Sequence, residues 1–286
     1  MVRADAGVNG VITLRGTRLV WGERTYIMGI VNVTPDSFSG DGVENVDAAA
    51  ARAVEQHAAG ATIVDIGGES TRPGHLPVEA AAEMARVLPA IAAARERLPG
   101  VPISVDSYKP DVIRAAQAVG ADLVNSVWGA SDELLDCVAE LEMPIVAMHN
   151  QTGTEYEGCV VDAVLRYLDD CASRALRRGI GREAIVLDPG IGFGKTADQN
   201  IAVLHALDRL VALGFPTMIG TSRKSTIGKL TGREPALRVY GTVATTALAV
   251  RARIDVVRVH DVAAARDAVA VADAVVRGWR PADWTP

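Results

Sequence analysis

The stretch Ala184-Ile185-Val186-Leu187-Asp188-Pro189-Gly190-Ile191-Gly192-Phe193-Gly194-Lys195 joins a short apolar run to an acid and a glycine-rich loop. The apolar run predicts a buried β-strand, and three glycines within five residues predict a tight loop whose backbone a ligand can approach. Two phosphate-loop patterns fail here: Pro189 stands where Walker A needs its first glycine, and Lys195 where the dinucleotide pattern needs its last. We predict an acid at a strand end facing a flat heterocycle that carries N–H groups, the alternative being an Asp that only ends the strand.

Composition narrows the class of protein. The chain has 286 residues, of which 49% are hydrophobic and 22% charged, enough for one large α/β barrel or two smaller domains. The formal charge of −6 argues against a nucleic-acid partner or an anionic membrane surface. Cys137, Cys159 and Cys171 are odd in number and lack metal-type spacing, so we expect reduced, buried thiols. With no signal-peptide pattern and no run of membrane-spanning length, we expect a cytoplasmic protein.

A repeating order of elements predicts the fold. Two alternating runs around Arg15-Gly16-Thr17 predict an N-terminal β-hairpin that covers one end of the fold, within an extension over residues 1–25. From residue 26 onward, apolar segments alternate with Ala-rich segments of helical period. The predicted strands are 27–31, 62–66, 101–105, 122–125, 144–148, 184–187, 216–219 and 256–259. Eight such units predict an α/β protein with a single (β/α)8 TIM barrel over residues 26–286; an open doubly wound sheet is the alternative.

Polar residues stand at the ends of the predicted strands, where TIM barrels carry their active sites. They are Asn32, Asp65, Asp106, Asn125, Met148-His149, Asp188, Ser222–Lys224 and Arg258–His260. Each alone could be a helix cap or a surface charge. Gathered at one mouth, they would be a costly set of partly desolvated groups with no structural need. Because phosphate sites in such barrels use the loops after strands seven and eight, we place an anion beside Ser222–Lys224 and Arg258–His260.

Six segments resemble the dihydropteroate synthases, which in folate biosynthesis join 6-hydroxymethyl-7,8-dihydropterin pyrophosphate to p-aminobenzoate. The segments are 29–39 (GIVNVTPDSFS), 64–74 (VDIGGESTRPG), 103–106 (ISVD), 188–195 (DPGIGFGK), 222–225 (SRKS) and 258–261 (RVHD). They occur in the family's order across almost the whole chain from Tyr26. The resemblance implies a pterin-binding barrel, a transferase that releases pyrophosphate, a requirement for Mg²⁺ and a homodimer.

The resemblance also implies roles for individual residues. The implied pterin-binding residues are Asp106, Asn125, Met148, Asp188, Phe193, Gly220 and Lys224. Those implied for pyrophosphate are Asn32, Arg72, Arg258 and His260, with Asn32 also the metal ligand. Those implied for p-aminobenzoate are Phe38, Thr71, Arg72, Pro73, Lys224 and Ser225. The implied catalytic residues are Asp106, Lys224, Arg258 and His260.

The chemistry of such a reaction agrees with this distribution of charge. An arylamine is neutral and nucleophilic at pH 7, so its attack needs no strong base, and departure of the pyrophosphate is the harder step. Arg258 can bind phosphate oxygens bidentately, while His260 and Mg²⁺ add positive charge. Carboxylates such as Asp106 stabilise a developing cation and oppose a pyrophosphate, so we place the acids at the pterin end.

Two other functions use a similar pocket. A pterin-binding methyltransferase domain shares the barrel and the acid-plus-Asn floor but has no use for an Arg-x-His phosphate site. A non-catalytic pterin-binding paralogue would keep Asp188 and Asn125 while the cationic residues drifted. The presence of Lys224, Arg258 and His260 favours the synthase.

Overall fold

The computed structural model describes residues 10–33, 45–69, 78–282 and 284–285. Two antiparallel strands precede a sheet of eight parallel strands, which confirms the predicted TIM barrel with its N-terminal hairpin. The hairpin strands are β1 (Val11–Leu14) and β2 (Thr17–Val20). The barrel strands are β3 (Tyr26–Asn32), β4 (Ile63–Gly67), β5 (Ile103–Asp106), β6 (Leu123–Ser126), β7 (Ile145–Met148), β8 (Ile185–Asp188), β9 (Met218–Ile219) and β10 (Val256–Val259).

Helices alternate with the barrel strands and cover the outside of the sheet. They are α1 (Val46–Ala59), α2 (Ala80–Arg97), α3 (Pro110–Ala118), α4 (Asp132–Glu140), α5 (Val160–Arg177), α6 (Ala197–His205), α7 (Leu207–Val211), α8 (Ser225–Thr231), α9 (Val239–Arg251) and α10 (Val262–Val276). Among the described residues, no helix combines the length and the apolar character that crossing a membrane requires.

The barrel is closed unevenly. Hydrogen-bonded neighbours run in the order β8-β7-β6-β5-β4-β3-β10-β9, each pair parallel. Between β8 and β9, one isolated parallel bridge joins Leu187 to Thr217, and the Leu187 N–H donates to the Pro216 carbonyl at 2.8 Å. The seventh barrel strand has two residues where four were predicted. Pro216 contributes to this shortening because proline cannot donate to the ladder.

The alternation of side chains separates two buried layers. Outward residues such as Val64, Ile66 and Val105 pack with the helices in the larger apolar core. The inward residues near the strand starts form a second core inside the barrel. This inner core contains Tyr26, Met28, Ile63, Leu123, Val146, Val186, Met218 and Val256, together with Leu19 and Trp21 from the hairpin segment. The barrel is therefore filled at its amino end and leaves its carboxyl end for polar groups.

The hairpin covers the amino end of the barrel, as predicted. Arg15 and Gly16 both have left-handed backbone conformations, with φ of 48° and 82°, so they form a two-residue turn. Thr17, predicted as part of the turn region, is the first residue of β2. After β2, the Trp21 indole N–H donates to the Glu183 carbonyl at 2.9 Å. The Val20 N–H donates to the Tyr26 hydroxyl at 2.7 Å. These contacts tie the hairpin segment to the barrel.

The cysteines follow the prediction in part. All three are free, and Cys137 and Cys171 are buried. Cys159 is exposed, so the expectation that it is buried was wrong. It lies immediately before α5, at the N-cap position, and burial begins with the next residues, Val160 and Val161.

The packing of Trp21 supports a prediction about stability. Because its side chain is buried between hairpin and barrel, we expect Trp21→Ala to lower the free energy of unfolding by about 3–5 kcal/mol. Urea denaturation measures the loss. Val11→Ala, at an exposed hairpin position, is the control and should change stability by less than about 0.5 kcal/mol. Equal stability of the two variants would show that the hairpin does not stabilise the barrel.

Candidate active site

Strand alternation brings the predicted polar residues to one mouth of the barrel. Side chains two residues apart on a strand point to the same face. Ile63, Val186 and Val256 point inward, so the residues two positions later, Asp65, Asp188 and Arg258, point inward as well. The same level of the interior receives Asp106, Asn125, Met148, Gly220 and Arg258. The set predicted from scattered strand ends therefore shares one site.

Arg258 is the centre of this site. Its Nε donates to Asp65 Oδ2 at 2.6 Å and its Nη2 donates to Asp106 Oδ2 at 2.7 Å. The Asn125 amide donates to the same Asp65 oxygen at 3.0 Å. Four strands thus contribute one charged network, and Asp65, to which the sequence assigned no role, is fully buried in it. The sequence places Asp65 at a strand end, and the period-two alternation on β4 is the signal that it points inward like Ile63.

Several acceptor atoms of this network have no partner among the described residues. They are Asp65 Oδ1, Asp106 Oδ1 and Asn125 Oδ1, all buried. A buried acceptor without a hydrogen bond costs free energy, and such atoms are uncommon unless a ligand or water fills them. The floor of the mouth is therefore suited to a molecule that presents N–H groups.

Burial also shifts the pKa values of the groups in this network. It raises the pKa of Asp106 to about 8, a shift that Arg258 opposes and that Asp65 reinforces. Burial alone would lower the pKa of Arg258, but the neighbouring Asp65 and Asp106 together raise it. The guanidinium is therefore a permanent charge, while Asp106 is the group in this network whose ionisation responds to what binds beside it.

A second wall of the mouth comes from the glycine-rich loop after β8. Asp188 is almost fully buried, and its Oδ1 accepts from the Gly190 N–H at 2.7 Å. The Lys224 ammonium donates to the Ile191 carbonyl and lies 4.4 Å from the centre of the Phe193 ring. Burial lowers the pKa of Lys224 to about 8, with Asp188 opposing, and burial raises the pKa of Asp188, with Lys224 opposing. An acid, an amine and a ring therefore line one pocket.

The residues after β9 and β10 form the side predicted to meet an anion. The Ser222 hydroxyl accepts from the His260 N–H at 3.1 Å and lies 2.9 Å from His260 Nδ1. Arg223 is in the left-handed region with φ of 56° and pairs through two nitrogens with Asp261, at 2.9 and 2.6 Å. Ser222 and Asp261 therefore position the histidine and the loop, although the sequence assigned neither of them a ligand role.

The remaining predicted residues are placed as follows. Asn32 ends β3, half-buried, opposite Gly67 of β4. Ser225 is the exposed first residue of α8. Ser126, next to Asn125 on β6, points out of the barrel and donates to the Gly129 carbonyl at 2.5 Å. Phe38, Thr71, Arg72 and Pro73 lie outside the described residues.

A buried pair that the sequence did not single out lies behind the glycine-rich loop. The Lys195 ammonium lies 3.0 Å from His149 Nδ1 and from the carbonyls of Gly190 and Phe193. Lys195 ends the stretch of sequence that predicts the pocket. Its contact with His149 depends on the loop folding over residues 149–151, which no local pattern of the sequence shows.

Comparison with known proteins identifies relatives over nearly the whole chain. The family model described as "Pterin binding enzyme" matches residues 28–260. A dihydropteroate synthase of Clostridium beijerinckii is 44% identical over 90% of this chain and 96% of its own length. The structure of Xanthomonas albilineans dihydropteroate synthase with 4-aminobenzoic acid has 43% identity and a TM-score of 0.87, covering 93% and 97% of the two chains. The same enzyme in complex with 7,8-dihydropteroate has 41% identity and a TM-score of 0.84, covering 93% and 98%.

The charge network supports a prediction about stability. Arg258→Met would leave Asp65 and Asp106 buried without their cation, which should lower the free energy of unfolding by roughly 3–5 kcal/mol at pH 9. Urea denaturation at pH 9 and at pH 6 measures the loss, which should be smaller at pH 6 because the pKa of Asp106 is about 8 and a protonated carboxyl needs no cation. Arg266→Met, at an exposed ion pair, is the control and should have little effect. A loss that does not depend on pH would contradict the electrostatic explanation.

Proposed function

The chain belongs to the pterin-binding enzyme family, and from that premise we propose that it joins 6-hydroxymethyl-7,8-dihydropterin pyrophosphate to p-aminobenzoate, forming 7,8-dihydropteroate and pyrophosphate. The observation that carries the proposal is the composition of the mouth: buried acceptors that have no partner among the described residues lie beside Arg258 and Lys224. Acceptors suit the N–H groups of a pterin, and fixed cations suit the pyrophosphate that leaves it.

The pterin is proposed to bind on the floor of the mouth. Asp188 and Asn125 would accept hydrogen bonds from the amino-pyrimidine edge, and the free Oδ1 atoms of Asn125 and Asp106 supply acceptors for this purpose. Phe193 and Met148 offer flat or flexible apolar surface, and the Lys224 ammonium can donate to the carbonyl side of the ring. Gly220 lies beside Lys224 and Arg258, and a Cβ there would be in ordinary contact with both, 3.8 Å from Lys224 Nζ and from Arg258 Cβ.

The pyrophosphate is proposed to bind on the side of Asn32, Arg72, Arg258 and His260. Two guanidinium nitrogens of Arg258, Nε and Nη2, already donate to Asp65 and Asp106, whereas Nη1 makes no hydrogen bond to a described residue. The end of the guanidinium that carries Nη1 and Nη2 is therefore the part that could meet phosphate oxygens. In this arrangement the two acids hold the arginine in place while its outer end faces the leaving group.

Magnesium is proposed as the metal that accompanies the pyrophosphate. Among the described residues, no group of three or more His, Cys, Asp or Glu side chains could hold a metal ion by itself. That composition suits Mg²⁺, which commonly binds through one or two protein oxygens while phosphate oxygens and water fill its other positions. Asn32 would supply an amide oxygen, and the bound metal would neutralise charge on the departing pyrophosphate.

The chemistry requires little acid–base work from the protein. The arylamine nitrogen forms a bond to the pterin methylene carbon, the bond from that carbon to the pyrophosphate oxygen breaks, and the amine loses a proton. The bound ring stabilises positive charge at the methylene, and a carboxylate at Asp106, on the pterin side, would further stabilise that charge. Arg258 holds Asp106 in this orientation through its Nη2 contact.

The p-aminobenzoate site is proposed to involve Phe38, Thr71, Arg72, Pro73, Lys224 and Ser225. Of these, Lys224 caps α8 and Ser225 begins it, so both lie at the rim of the mouth beside the proposed pterin site. A related enzyme has been solved with 4-aminobenzoic acid, which supports a site for this substrate in the same fold.

A cytoplasmic location, which reduced cysteines would suit, remains an expectation from the sequence.

Assembly as a homodimer is a further part of the proposal. Helices α8, α9 and α10 and the segment before α9 carry large apolar side chains that face solvent. These are Leu230, Leu237, Tyr240, Leu248, Val271 and Val275. Apolar surface of this extent on neighbouring helices is typical of a protein interface.

The function is tested by assaying dihydropteroate formation from the two substrates. We expect turnover with Mg²⁺ and a large loss with the metal chelated. Release of one pyrophosphate per dihydropteroate would support the proposed bond changes. A protein that binds pterin tightly but forms no product under any metal condition would instead be a non-catalytic paralogue.

Asp188 provides a sharper test of the pterin site. We expect Asp188→Asn to weaken binding of 6-hydroxymethylpterin strongly, because the amide must turn an N–H towards another donor, at a cost of roughly 1–3 kcal/mol. Isothermal titration calorimetry measures the affinity. Asp198→Asn, in the first turn of α6, is a matched control that should bind like the parent protein. Affinity of Asp188→Asn within threefold of the parent would remove Asp188 from the pterin site.

A further inference from the structure

Lys195 is a buried cation without an ion pair. Its residue is 8% exposed, yet no carboxylate among the described residues forms a salt bridge with it. Its three contacts are His149 Nδ1 and the carbonyls of Gly190 and Phe193, each at 3.0 Å. An ammonium has three N–H donors, so all of them are used on neutral acceptors. Burying a charged group without a carboxylate partner costs free energy, and an apolar side chain could fill the same space without that cost. We therefore expect Lys195 to have a role other than packing.

The histidine beside it is arranged as an acceptor. Burial lowers the pKa of His149 to about 3, and Lys195 adds to the shift, so the imidazole is neutral at physiological pH. Because Nδ1 faces the ammonium, the ring proton belongs on Nε2. Tyr156 stacks on the imidazole at 6.0 Å and Tyr167 meets it edge-on at 5.0 Å, so the ring cannot turn freely.

Burial also weakens the hold of Lys195 on its own proton. The pKa of Lys195 is lowered to about 7, with Asp188 opposing the shift. The contacts of Lys195 therefore act as hydrogen bonds that link one side chain to two backbone carbonyls. They do not have the character of a strong ion pair.

The loop that Lys195 contacts needs such a link. Gly190, Gly192 and Gly194 have φ of 67°, 83° and 55°, and a segment with three left-handed glycines has many other conformations to adopt. Gly190 lies so close to residue 149 that a Cβ would be 1.9 Å from the His149 carbonyl oxygen. By bonding the carbonyls of residues 190 and 193, Lys195 closes the loop onto itself and onto His149.

The closed loop determines the second wall of the mouth. With residues 190 and 193 held, the Ile191 carbonyl accepts from Lys224 and the Phe193 ring lies 4.4 Å from the Lys224 ammonium. Neither Lys195 nor His149 needs to touch a ligand to affect it, because both act through Phe193 and Lys224.

We propose that Lys195 and His149 form a positioning pair that holds the 190–194 loop in the conformation needed to bind the pterin, so that the pair sets pterin affinity without contacting the pterin. The proposal rests on the proposed function, since it assumes that Phe193 and Lys224 line the pterin site. It assigns a role to two buried groups that the chemistry of the reaction does not use.

The test compares Lys195→Met, which keeps the length of the side chain and removes its donors, with the parent protein. We expect the dissociation constant for 6-hydroxymethylpterin to rise at least tenfold, or about 1.4 kcal/mol. Hydrogen exchange should become faster at the amides of Gly190, Gly192 and Phe193, which are hydrogen-bonded in the folded loop. Exchange at Leu187, in β8, should not change.

Variants of the partner and a matched control complete the experiment. His149→Phe keeps a ring but lacks an acceptor and should resemble Lys195→Met, whereas His149→Gln can still accept and should recover much of the affinity. Arg277→Met is the control for lost stability. That arginine is a buried cation at the other end of the barrel, donating to the Gly22 and Ile254 carbonyls at 2.8 Å. It should lower the melting temperature without changing pterin affinity.

The outcomes separate this inference from the proposed function. Pterin affinity of Lys195→Met within twofold of the parent, or faster exchange throughout the protein, would overturn the positioning role. Equal effects of His149→Phe and His149→Gln would remove the histidine acceptor from the pair. Absence of dihydropteroate formation by the parent protein would refute the proposed reaction, whereas binding and exchange would still report on the loop.

Discussion

The active-site mouth depends on a geometric constraint: successive residues of a strand point to opposite faces, and in a closed barrel one face is the interior. An inward residue near the start of a strand lies in the inner core, and the next inward residue, two positions later, lies at the mouth. On β4 these are Ile63 and Asp65, and on β8 they are Val186 and Asp188. The register of each strand therefore decides both which side chains fill the barrel and which face a ligand. A shift by one residue would turn the apolar inner residue and the polar mouth residue to the outside together.

Electrostatics then decides how the mouth is organised. Arg258 lies between Asp65 and Asp106, and the cation allows two carboxylates to share a desolvated site. Removing Arg258 would leave two buried carboxyl groups without a cation, which costs far more than the net contribution of the intact network. The arrangement also orients the guanidinium, leaving one of its ends for an anion. The arginine that neutralises these buried acids is therefore also the cation of the proposed pyrophosphate site.

The network around Arg258 is held by its own charged side chains, whereas the glycine-rich loop after β8 is held by groups outside it. Its glycines permit a path that no other residues could follow so close to residues 149–151, but they supply no side chains to keep it there. Hydrogen bonds from outside the loop fill that need: Asn200 accepts from the Gly192 N–H, Tyr156 donates to the Gly194 carbonyl, and Lys195 bonds two further carbonyls. The wall of the proposed pterin site is rigid because buried polar groups surround it, which is how a flexible sequence becomes a pre-organised surface.

By itself, the sequence determined the class of fold and the membership of the site. Eight apolar segments separated by segments of helical period are enough to predict a TIM barrel, because periodicity and strand–helix alternation are local properties of the chain. Asp106, Asn125, Asp188, Lys224 and Arg258 could be named because barrels gather strand ends at one mouth.

Only the tertiary structure decided which of these groups touch. Asp65 is the anchor of Arg258, Lys195 is bonded to His149, and β9 is reduced to two residues with a single bridge to β8. No local pattern contains these facts, since the partners are 193 and 46 residues apart in the two hydrogen bonds. Contacts between distant residues depend on how the strands tilt and close into the barrel, and that is a property of the whole fold.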